Sequence, residues 1–235
     1  MLFALVNGEK LEAKPNLKGV CPLCSQTVFS KCGEINVWHW AHKKDEGCDS
    51  WYEAETQWHK NWKMIFGKDH SEIVISKDGV RHIADVQTSE NVIIELQNSR
   101  IQKPIIRKRE TFYGERMIWI INGIHFKDNF SIRPYRLSHE EYYLVFNPSS
   151  RYYGNESKVV PKSTLGFDWS RPRKSWNEVM RIVFIDFGDD KLFWVKKGMG
   201  TNTGKGRYVS KEEFVKKYGG DLELLSILTE SSGTV

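Results

Sequence analysis

The chain has 235 residues, of which 40% are hydrophobic and 13% aromatic, so it can bury a core and is not expected to be disordered. Its formal net charge of +5 is a mild excess, which is compatible with a nucleic-acid partner without establishing one. The sequence has no apolar run of about 18 residues, so we expect no membrane span. Its first residues lack the basic flank and length of a signal peptide, and we expect a cytoplasmic protein.

The N-terminal region begins with a predicted β-hairpin over residues 3–13, which turns at Asn7-Gly8 because this dipeptide favours two-residue turns. Residues 16–50 are rich in Cys, His and Gly and short of periodic runs, which indicates a small segment stapled by a metal. The four cysteines of an intracellular chain are expected to be thiols or metal ligands and not disulfides.

Potential zinc ligands are concentrated in 28 residues of this segment: Cys21, Cys24, His39, His42 and Cys48. Cys21 and Cys24 form a Cys-x2-Cys pair, which places two thiolates at the spacing that tetrahedral zinc requires. His42 is the favoured third ligand, whereas His39 and Cys48 compete for the fourth position. A zinc ion with four protein ligands is structural, so we expect the chemistry elsewhere.

A helix is predicted over residues 49–67, since its apolar residues recur at helical spacing. Asp49 or Ser50 can cap its start, and Gly67 ends it.

Three strands are predicted next, over residues 72–76, 80–86 and 92–97, and the short turns between them require antiparallel neighbours. A basic helix over residues 101–115 and a continuous apolar strand over residues 117–122 follow. The resulting order is helix, three strands, helix, strand, in which the last strand returns to the sheet through a helical crossover.

The C-terminal part is predicted to contain a strand over residues 141–147, a hairpin over residues 181–196 and a helix over residues 210–220. Residues 198–206 resemble a phosphate-binding P-loop but fail its glycine and Ser/Thr positions, so we expect a flexible loop that touches DNA.

Two carboxylates interrupt the apolar strands, Asp85 in one and Glu95 in the next, and Gln97 follows two residues later. A carboxylate in such a strand is costly to desolvate unless it is paired or binds a metal. Both lie at similar distances from the connecting turn, so they can project from one face of the hairpin. Alternatively, Asp85 forms an ion pair with Arg81, and Glu95 protects a sheet edge.

Glu55, His59 and Lys63 follow one another at four-residue spacing on the predicted helix, which gives one polar stripe over the sheet. A carboxylate from this stripe, added to the two of the strands, would complete an oxygen site for Mg²⁺ or Mn²⁺ that suits phosphodiester hydrolysis. Lys63 or Lys60 would supply positive charge, and Gln97 would orient the attacking water. His59 fits a role in this site or a hydrogen bond in the core equally well.

Several stretches resemble the CoiA-like competence proteins, which belong to the PD-(D/E)XK nuclease superfamily: CPLC, WHWAH, EAETQWHKNWK, RHIADV and IIELQNS. The resemblance implies an α+β or α/β fold with a restriction-endonuclease-like α-β-β-β-α-β core. It implies an N-terminal hairpin and zinc-knuckle-like segment over residues 1–50, the nuclease-like core over 51–125, and over 126–235 a C-terminal α/β extension of β-hairpin and helix.

The resemblance also assigns roles within this sequence. Asp85 would be the motif aspartate, Glu95 the glutamate of the D/E-x-K element, and Glu55 the acid of the N-terminal helix. Gln97 departs from the lysine that the superfamily usually has, although CoiA-like members are similar in carrying Glu-x-Gln there.

A run of cations surrounds the second predicted helix and offers contacts for DNA phosphates: Arg100, Lys103, Arg107, Lys108 and Arg109. Arg107 could reach a scissile phosphate, whereas the competing interpretation is a solvated helix face.

The sequence therefore predicts a metal-dependent deoxyribonuclease with structural zinc and catalytic Mg²⁺ or Mn²⁺, in the cytoplasm of a bacterium or of a phage-infected bacterium. Its expected substrate is single-stranded or branched DNA during uptake, recombination or phage DNA processing, with recombination proteins as further partners. The alternatives are a nucleic-acid-binding protein without catalysis and a protein-interaction factor, both on a nuclease-like scaffold.

Overall fold

The computed structural model describes residues 1–43, 48–136 and 163–231, in which two β-sheets are accompanied by four α-helices. The strands are β1 (Phe3–Val6), β2 (Glu9–Glu12), β3 (Lys18–Val20), β4 (Thr27–Lys31), β5 (His39–His42), β6 (Ser71–Lys77), β7 (Val80–Gln87), β8 (Ile93–Gln97), β9 (Met117–Asn122), β10 (Phe130–Pro134), β11 (Leu165–Trp169), β12 (Ile182–Asp186), β13 (Lys191–Lys197) and β14 (Thr203–Ser210). The helices are α1 (Gln57–Phe66), α2 (Lys103–Tyr113), α3 (Lys211–Tyr218) and α4 (Leu222–Ser231). Within the described residues, none of these helices is both long and apolar enough to cross a membrane.

The smaller sheet has five antiparallel strands in the order β2-β1-β3-β4-β5. Its first hairpin confirms the prediction, because Asn7 and Gly8 take left-handed backbone angles, with φ of 52° and 86°. The segment over residues 16–50, which we expected to be held by a metal, contributes the other three strands. Val28 and Trp40 are buried in the small core of this sheet.

The larger sheet is mixed and has nine strands in the order β10-β11-β14-β13-β12-β9-β8-β7-β6. Strand β9 pairs in parallel with β8 on one side and with β12 on the other, and the remaining pairs are antiparallel. Every residue of β9 is buried, as expected for a central parallel strand. The fold is α+β with a mixed sheet, and strands of the predicted core and of the predicted C-terminal extension share that sheet.

Helix α1 starts later than the sequence predicted. Thr56 is its N-cap, and Gly67 ends it as expected. The predicted capping residue Asp49 instead accepts a hydrogen bond from the backbone N–H of Ile83 at 2.9 Å, which holds it against β7. Glu55 consequently lies before the helix and not on its polar face.

A buried carboxylate joins α1 and α3 to the larger sheet. Asp186, at the end of β12, accepts hydrogen bonds from the indole N–H groups of Trp58 and Trp62, both at 2.9 Å. Its other oxygen lies 2.8 Å from the ammonium of Lys211, the first residue of α3. Because Asp186 is 1% exposed, these contacts replace its hydration shell.

The other predicted elements can be compared one by one. The order α1, three strands, α2, β9 is the predicted one, and Ser210 and Glu213 form the expected capping box of α3. The predicted hairpin over 181–196 is β12 and β13, whereas the predicted strand over 141–147 lies outside the described residues. The sequence analysis did not predict β10, β11, β14 or α4.

Candidate active site and metal centre

Residues of both sheets line one cavity of about 690 Å³. It combines aromatic and apolar walls with several ionisable groups. The carboxylates that line it are Asp49, Glu53, Glu55, Glu72, Asp85 and Glu95, and the basic groups are His42, Lys43, His59, Lys63 and Arg109. Five of the six predicted catalytic residues therefore lie around this cavity, and the exception is Gln97.

Asp85 and Glu95 lie side by side where the pairing of β7 and β8 ends. The backbone N–H of Asp85 donates to Glu95 Oε1 at 3.3 Å, and the N–H of Leu96 donates to Asp85 Oδ2 at 2.9 Å. Burial and the charge of Asp85 raise the pKa of Glu95 to about 8, although Arg109 Nη1 lies 2.9 Å from Glu95 Oε2 and opposes the shift. The predicted proximity of the two strand carboxylates is thus present.

Lys63 is the cation at the centre of the carboxylates and is 4% exposed. Its Nζ lies 2.9 Å from Glu55, 3.0 Å from Glu72 and 3.3 Å from Asp85. Burial lowers the pKa of Lys63, but the charges of Glu72, Glu55 and Asp85 together raise it well above its ordinary value. Lys60 instead binds a carboxylate of β2 at 2.7 Å, so the geometry favours Lys63 over Lys60 as the cation of the site.

The three carboxylates predicted to share one divalent ion are not gathered at one point. In the described part of the chain, oxygens of Glu55, Asp85 and Glu95 do not form a group that lies mutually within 4.8 Å. Lys63 binds Glu55 through both carboxylate oxygens and separates it from a shared site. The donor set fits an ion held by Asp85 and Glu95, since Mg²⁺ commonly takes one or two carboxylates and keeps several waters.

Glu53, which we predicted only as part of a helix, organises the chain after β8. It accepts hydrogen bonds from the backbone N–H groups of Asn98, at 3.2 Å, and Ser99, and from Gln97 Nε2 at 3.0 Å. Its carboxylate also lies 3.5 Å from His59 Nε2. Burial raises the pKa of Glu53, but the bonds from His59 and Ser99 outweigh it and lower the pKa to about 2.

The side chain of Gln97 is therefore used within the fold. It is 3% exposed, and its amide nitrogen is held by Glu53 while its Oε1 has no hydrogen-bond partner among the described residues. His59 is equally buried, and its Nδ1 lies 2.8 Å from Thr56 Oγ1. Both residues act as supports of the cavity in this structure.

Glu72 was missed by the sequence analysis. It accepts backbone hydrogen bonds from Leu2 at 2.7 Å and Phe3 at 2.8 Å, which fastens the smaller sheet to the cavity. Burial raises the pKa of Glu72, but the charge of Lys63 and these N–H groups lower it to about 2. The available signal was a carboxylate at the beginning of an apolar strand, which is the signal that identified Asp85.

The predicted DNA-binding cations have different surroundings. Arg109 is buried against Glu95 and also donates to the carbonyl of Trp51, so its guanidinium is directed at partners within the fold. Its position was visible in the sequence, because it lies at helical spacing between apolar residues of α2. Lys103 and Arg107 both form ion pairs with Glu178. The exposed members are Arg100, Arg107 and Lys108.

Four residues of the smaller sheet and its flank form a potential metal centre: Cys21, Cys24, His42 and Cys48. Their ligand atoms all lie within 4.8 Å of one another, with Cys21 Sγ 3.6 Å from Cys48 Sγ and Cys24 Sγ 3.2 Å from His42 Nε2. Zinc–sulfur bonds of about 2.3 Å at tetrahedral angles place two sulfurs about 3.8 Å apart. The group therefore fits structural zinc.

The competition for the fourth ligand is decided in favour of Cys48. His39 Nδ1 lies 2.8 Å from the carbonyl oxygen of Val37, and His39 is not in the group. Burial raises the pKa of Cys48, and the neighbouring thiols Cys24 and Cys21 raise it further. A bound cation would reverse this effect, because metal coordination stabilises the thiolate.

Comparison with known proteins bears on this same region. Residues 6–50 match the model of the family described as Competence protein CoiA, N-terminal domain. No curated protein and no solved structure matches the chain. The matched residues include all four members of the metal centre and all five strands of the smaller sheet except the first residues of β1. Residues 6–50 are thus similar to the N-terminal domain of the CoiA competence proteins.

Proposed function

We propose that the chain is a metal-dependent nuclease of the PD-(D/E)XK type that hydrolyses phosphodiester bonds in DNA. The match of residues 6–50 to the CoiA N-terminal domain supports a competence-related role. The order of helix, three strands, helix and strand supports the nuclease-like core. The adjacency of Asp85 and Glu95 in a cavity of about 690 Å³ supports its active site.

The observation that carries the proposal is the position of Lys63. The superfamily usually supplies a cation two residues after its glutamate, where this chain has Gln97. Lys63 Nζ reaches Asp85 Oδ1 at 3.3 Å from helix α1 and provides a positive charge at the same carboxylates. We therefore propose that Lys63 has taken over the role of the missing lysine.

Asp85 and Glu95 would hold Mg²⁺ or Mn²⁺. When bound, such an ion polarises a phosphoryl oxygen and lowers the pKa of a coordinated water. Lys63 is protonated at neutral pH, because its carboxylate neighbours raise its pKa, so it serves as a cation and not as a general base. An ammonium that is only 4% exposed is weakly screened by water and stabilises negative charge that develops on a phosphate.

The other carboxylates of the cavity hold Asp85, Glu95 and Lys63 in position. Glu53 fixes the end of β8 through Asn98 and Ser99, and this keeps Glu95 in place. Glu55 and Glu72 hold the ammonium of Lys63 toward Asp85. Neither is proposed as a metal ligand, since each lies closer to Lys63 Nζ, at 2.9 and 3.0 Å, than Asp85 does, at 3.3 Å.

The substrate class is proposed as single-stranded or branched DNA in the bacterial cytoplasm, during uptake, recombination or phage DNA processing. Arg100 and Lys108 are exposed beside the cavity-forming helix α2 and suit phosphate contacts. Recombination proteins are the proposed partners in such processing.

A second candidate function is nucleic-acid binding without catalysis. The observation in its favour is that both strand carboxylates already have hydrogen-bond or ion-pair partners within the chain. Asp85 accepts from Lys63 and Leu96, and Glu95 from Arg109 and the backbone of Asp85. Such pairing is also what a retained scaffold requires, because buried charges need partners.

A cleavage assay separates the two candidates. The purified chain is incubated with single-stranded, duplex and forked DNA over a series of Mg²⁺ and Mn²⁺ concentrations. The nuclease proposal expects cleavage that depends on the divalent ion and falls at least 100-fold in Asp85→Asn and in Lys63→Met, since electrostatic groups contribute about that much. Glu90→Ala removes an exposed carboxylate from the turn of the same hairpin and should cleave like the unaltered chain.

Cleavage that survives Asp85→Asn at full rate would refute the site assignment. No cleavage with any ion, together with retained DNA binding in Asp85→Asn, would establish the scaffold function instead.

A further inference from the structure

A second cleft, of about 1020 Å³, lies on the C-terminal half of the larger sheet. It is lined by six lysine and arginine residues and a single carboxylate: Arg133, Arg136, Arg181, Lys196, Lys197, Lys205 and Asp168. Arg133 donates to both oxygens of Asp168, which neutralises that carboxylate. The cleft therefore has a strong positive excess, although the whole chain has a net charge of only +5.

The sheet aligns three of these cations in one row. Arg133 in β10 is paired with Gly166 in β11, Gly166 with Lys205 in β14, and Lys205 with Lys197 in β13. Directly paired residues project from the same face, and neighbouring strands lie about 4.8 Å apart, so the row is about 14 Å long. A cationic row of this length extends well beyond a single phosphate group.

Gly166 has no side chain and therefore leaves space on the surface beside these cations. A Cβ at this position would lie 2.7 Å from Arg133 Nη1, so the absence of a side chain leaves room for the guanidinium. Lys197 and Lys205 are directly opposed across β13 and β14, and like charges in that position destabilise a sheet. An anion between them would turn this repulsion into attraction.

Arg181 provides an independent observation. It directly precedes β12, which is the neighbour of β13 in the sheet, and it lines the same cleft. Its Nε is buried and has no hydrogen-bond partner among the described residues. A buried guanidinium nitrogen without an acceptor costs free energy, and an anion bound in the cleft would supply that acceptor.

We infer that this cleft, formed by β10, β11, β14, β13 and the start of β12, is a second nucleic-acid-binding site that holds the phosphate backbone of a DNA strand. Several cations along a row fit successive phosphates better than one small anion. The neutral polar residues Thr203 and Asn177 also line the cleft, and such side chains commonly contact phosphate oxygens. The inference rests on the proposed function in its choice of DNA as the polyanion.

The test measures binding and is independent of cleavage. Fluorescence anisotropy with a labelled single-stranded oligonucleotide, without added divalent metal, is compared between the unaltered chain and the double variant Arg181→Gln, Lys197→Gln. We expect binding to weaken at least tenfold. The plot of log association constant against log salt concentration should become less steep by about 1.4. Each lost phosphate contact on a single strand removes about 0.7 from the steepness, and the variant removes two cations.

The matched control removes two exposed lysines from α3, with Lys216→Gln and Lys217→Gln. It loses the same charge outside the cleft and should change binding less than twofold. Equal binding by the two double variants would overturn the inference, because only net charge would then matter. Displacement of the DNA by poly-glutamate at the same charge concentration would overturn the assignment of nucleic acid.

Two further measurements keep the test decisive. If the first variant loses its unfolding transition, the single charge reversal Lys197→Glu on an exposed strand position replaces it, with the same expected loss of binding. Repeating the comparison in the Asp85→Asn background separates the two proposals. A tenfold loss there supports the second site even if no cleavage is ever observed, and the absence of a loss refutes it.

Discussion

Replacing Lys63 with methionine tests the electrostatic centre of the cavity. The substitution keeps the length and apolar stem of the side chain and removes the ammonium that contacts Glu55, Glu72 and Asp85. Since Lys63 is 4% exposed, water cannot replace that ammonium without entering the core. Removing one partner of a buried ion pair costs about 3–5 kcal/mol, and we expect this loss of unfolding free energy at pH 7.

The pH dependence of this loss follows from Glu72. Its pKa is about 2 in the folded chain against an ordinary value of 4.5, which corresponds to about 3 kcal/mol of stability. That contribution is present above pH 4.5 and is lost as the pH falls toward 2. Without Lys63, the largest of the effects that lower the pKa of Glu72 is lost, so this pKa rises and its contribution to stability becomes smaller. The difference between the two proteins should therefore shrink by about 1 kcal/mol between pH 7 and pH 4.

Urea unfolding followed by tryptophan fluorescence at both pH values measures this difference. Lys60→Met is the matched control, because Lys60 lies on the same helix and forms a partly exposed ion pair with Glu12. Such pairs contribute about 0–1 kcal/mol, so the control should be nearly neutral. A loss below about 1 kcal/mol for Lys63→Met, or a loss that does not change with pH, would refute the reasoning.

Three more outcomes are expected. Cys48→Ser should lower the zinc content measured by mass spectrometry, whereas His39→Ala should keep one ion per chain, and the reverse result would contradict the assigned ligand set. Asp186→Ala should lower the unfolding free energy by about 3–5 kcal/mol, because it leaves a buried lysine and two indole N–H groups without an acceptor; a loss below about 1 kcal/mol in urea unfolding would contradict this. Glu53→Gln should accelerate hydrogen exchange at the amide of Ser99, and unchanged protection would show that the carboxylate does not hold this turn.

Much of the fold was predictable from signals that act within a few residues. Asn7-Gly8 specifies its turn through left-handed backbone angles, and the apolar run of β9 requires burial on both faces. The capping box of Ser210 and Glu213 closes locally at the start of α3. The metal ligands Cys21 and Cys24 could be assigned because their spacing sets the ligand geometry by itself.

The sequence predicted part of the candidate site. The residues whose surroundings were not predicted share one physical cause. Asp49 and Glu53 look like helix-capping and first-turn residues, but distant backbone N–H groups compete for their carboxylates. Each carboxylate gains more from buried donors in β7 or after β8 than from an exposed helix end, so the helix starts at Thr56. The ion pair of Arg109 was not predicted for a similar reason, because its partner Glu95 lies in another element and is not apparent from the charges near Arg109 in the sequence.

The metal centre and the candidate active site form one structural unit. His42 and Cys48 line the same cavity as Asp85 and Glu95. The residue after Cys48 is Asp49, whose carboxylate binds the ring of His82 at 2.8 Å and the backbone of the next residue of β7 at 2.9 Å. A metal that fixes Cys48 therefore also fixes the clamp on the strand that presents Asp85. Removing such a metal would disturb the two carboxylates that we propose as catalytic, although it would contact neither of them, so a structural zinc at this centre would help to assemble the proposed site.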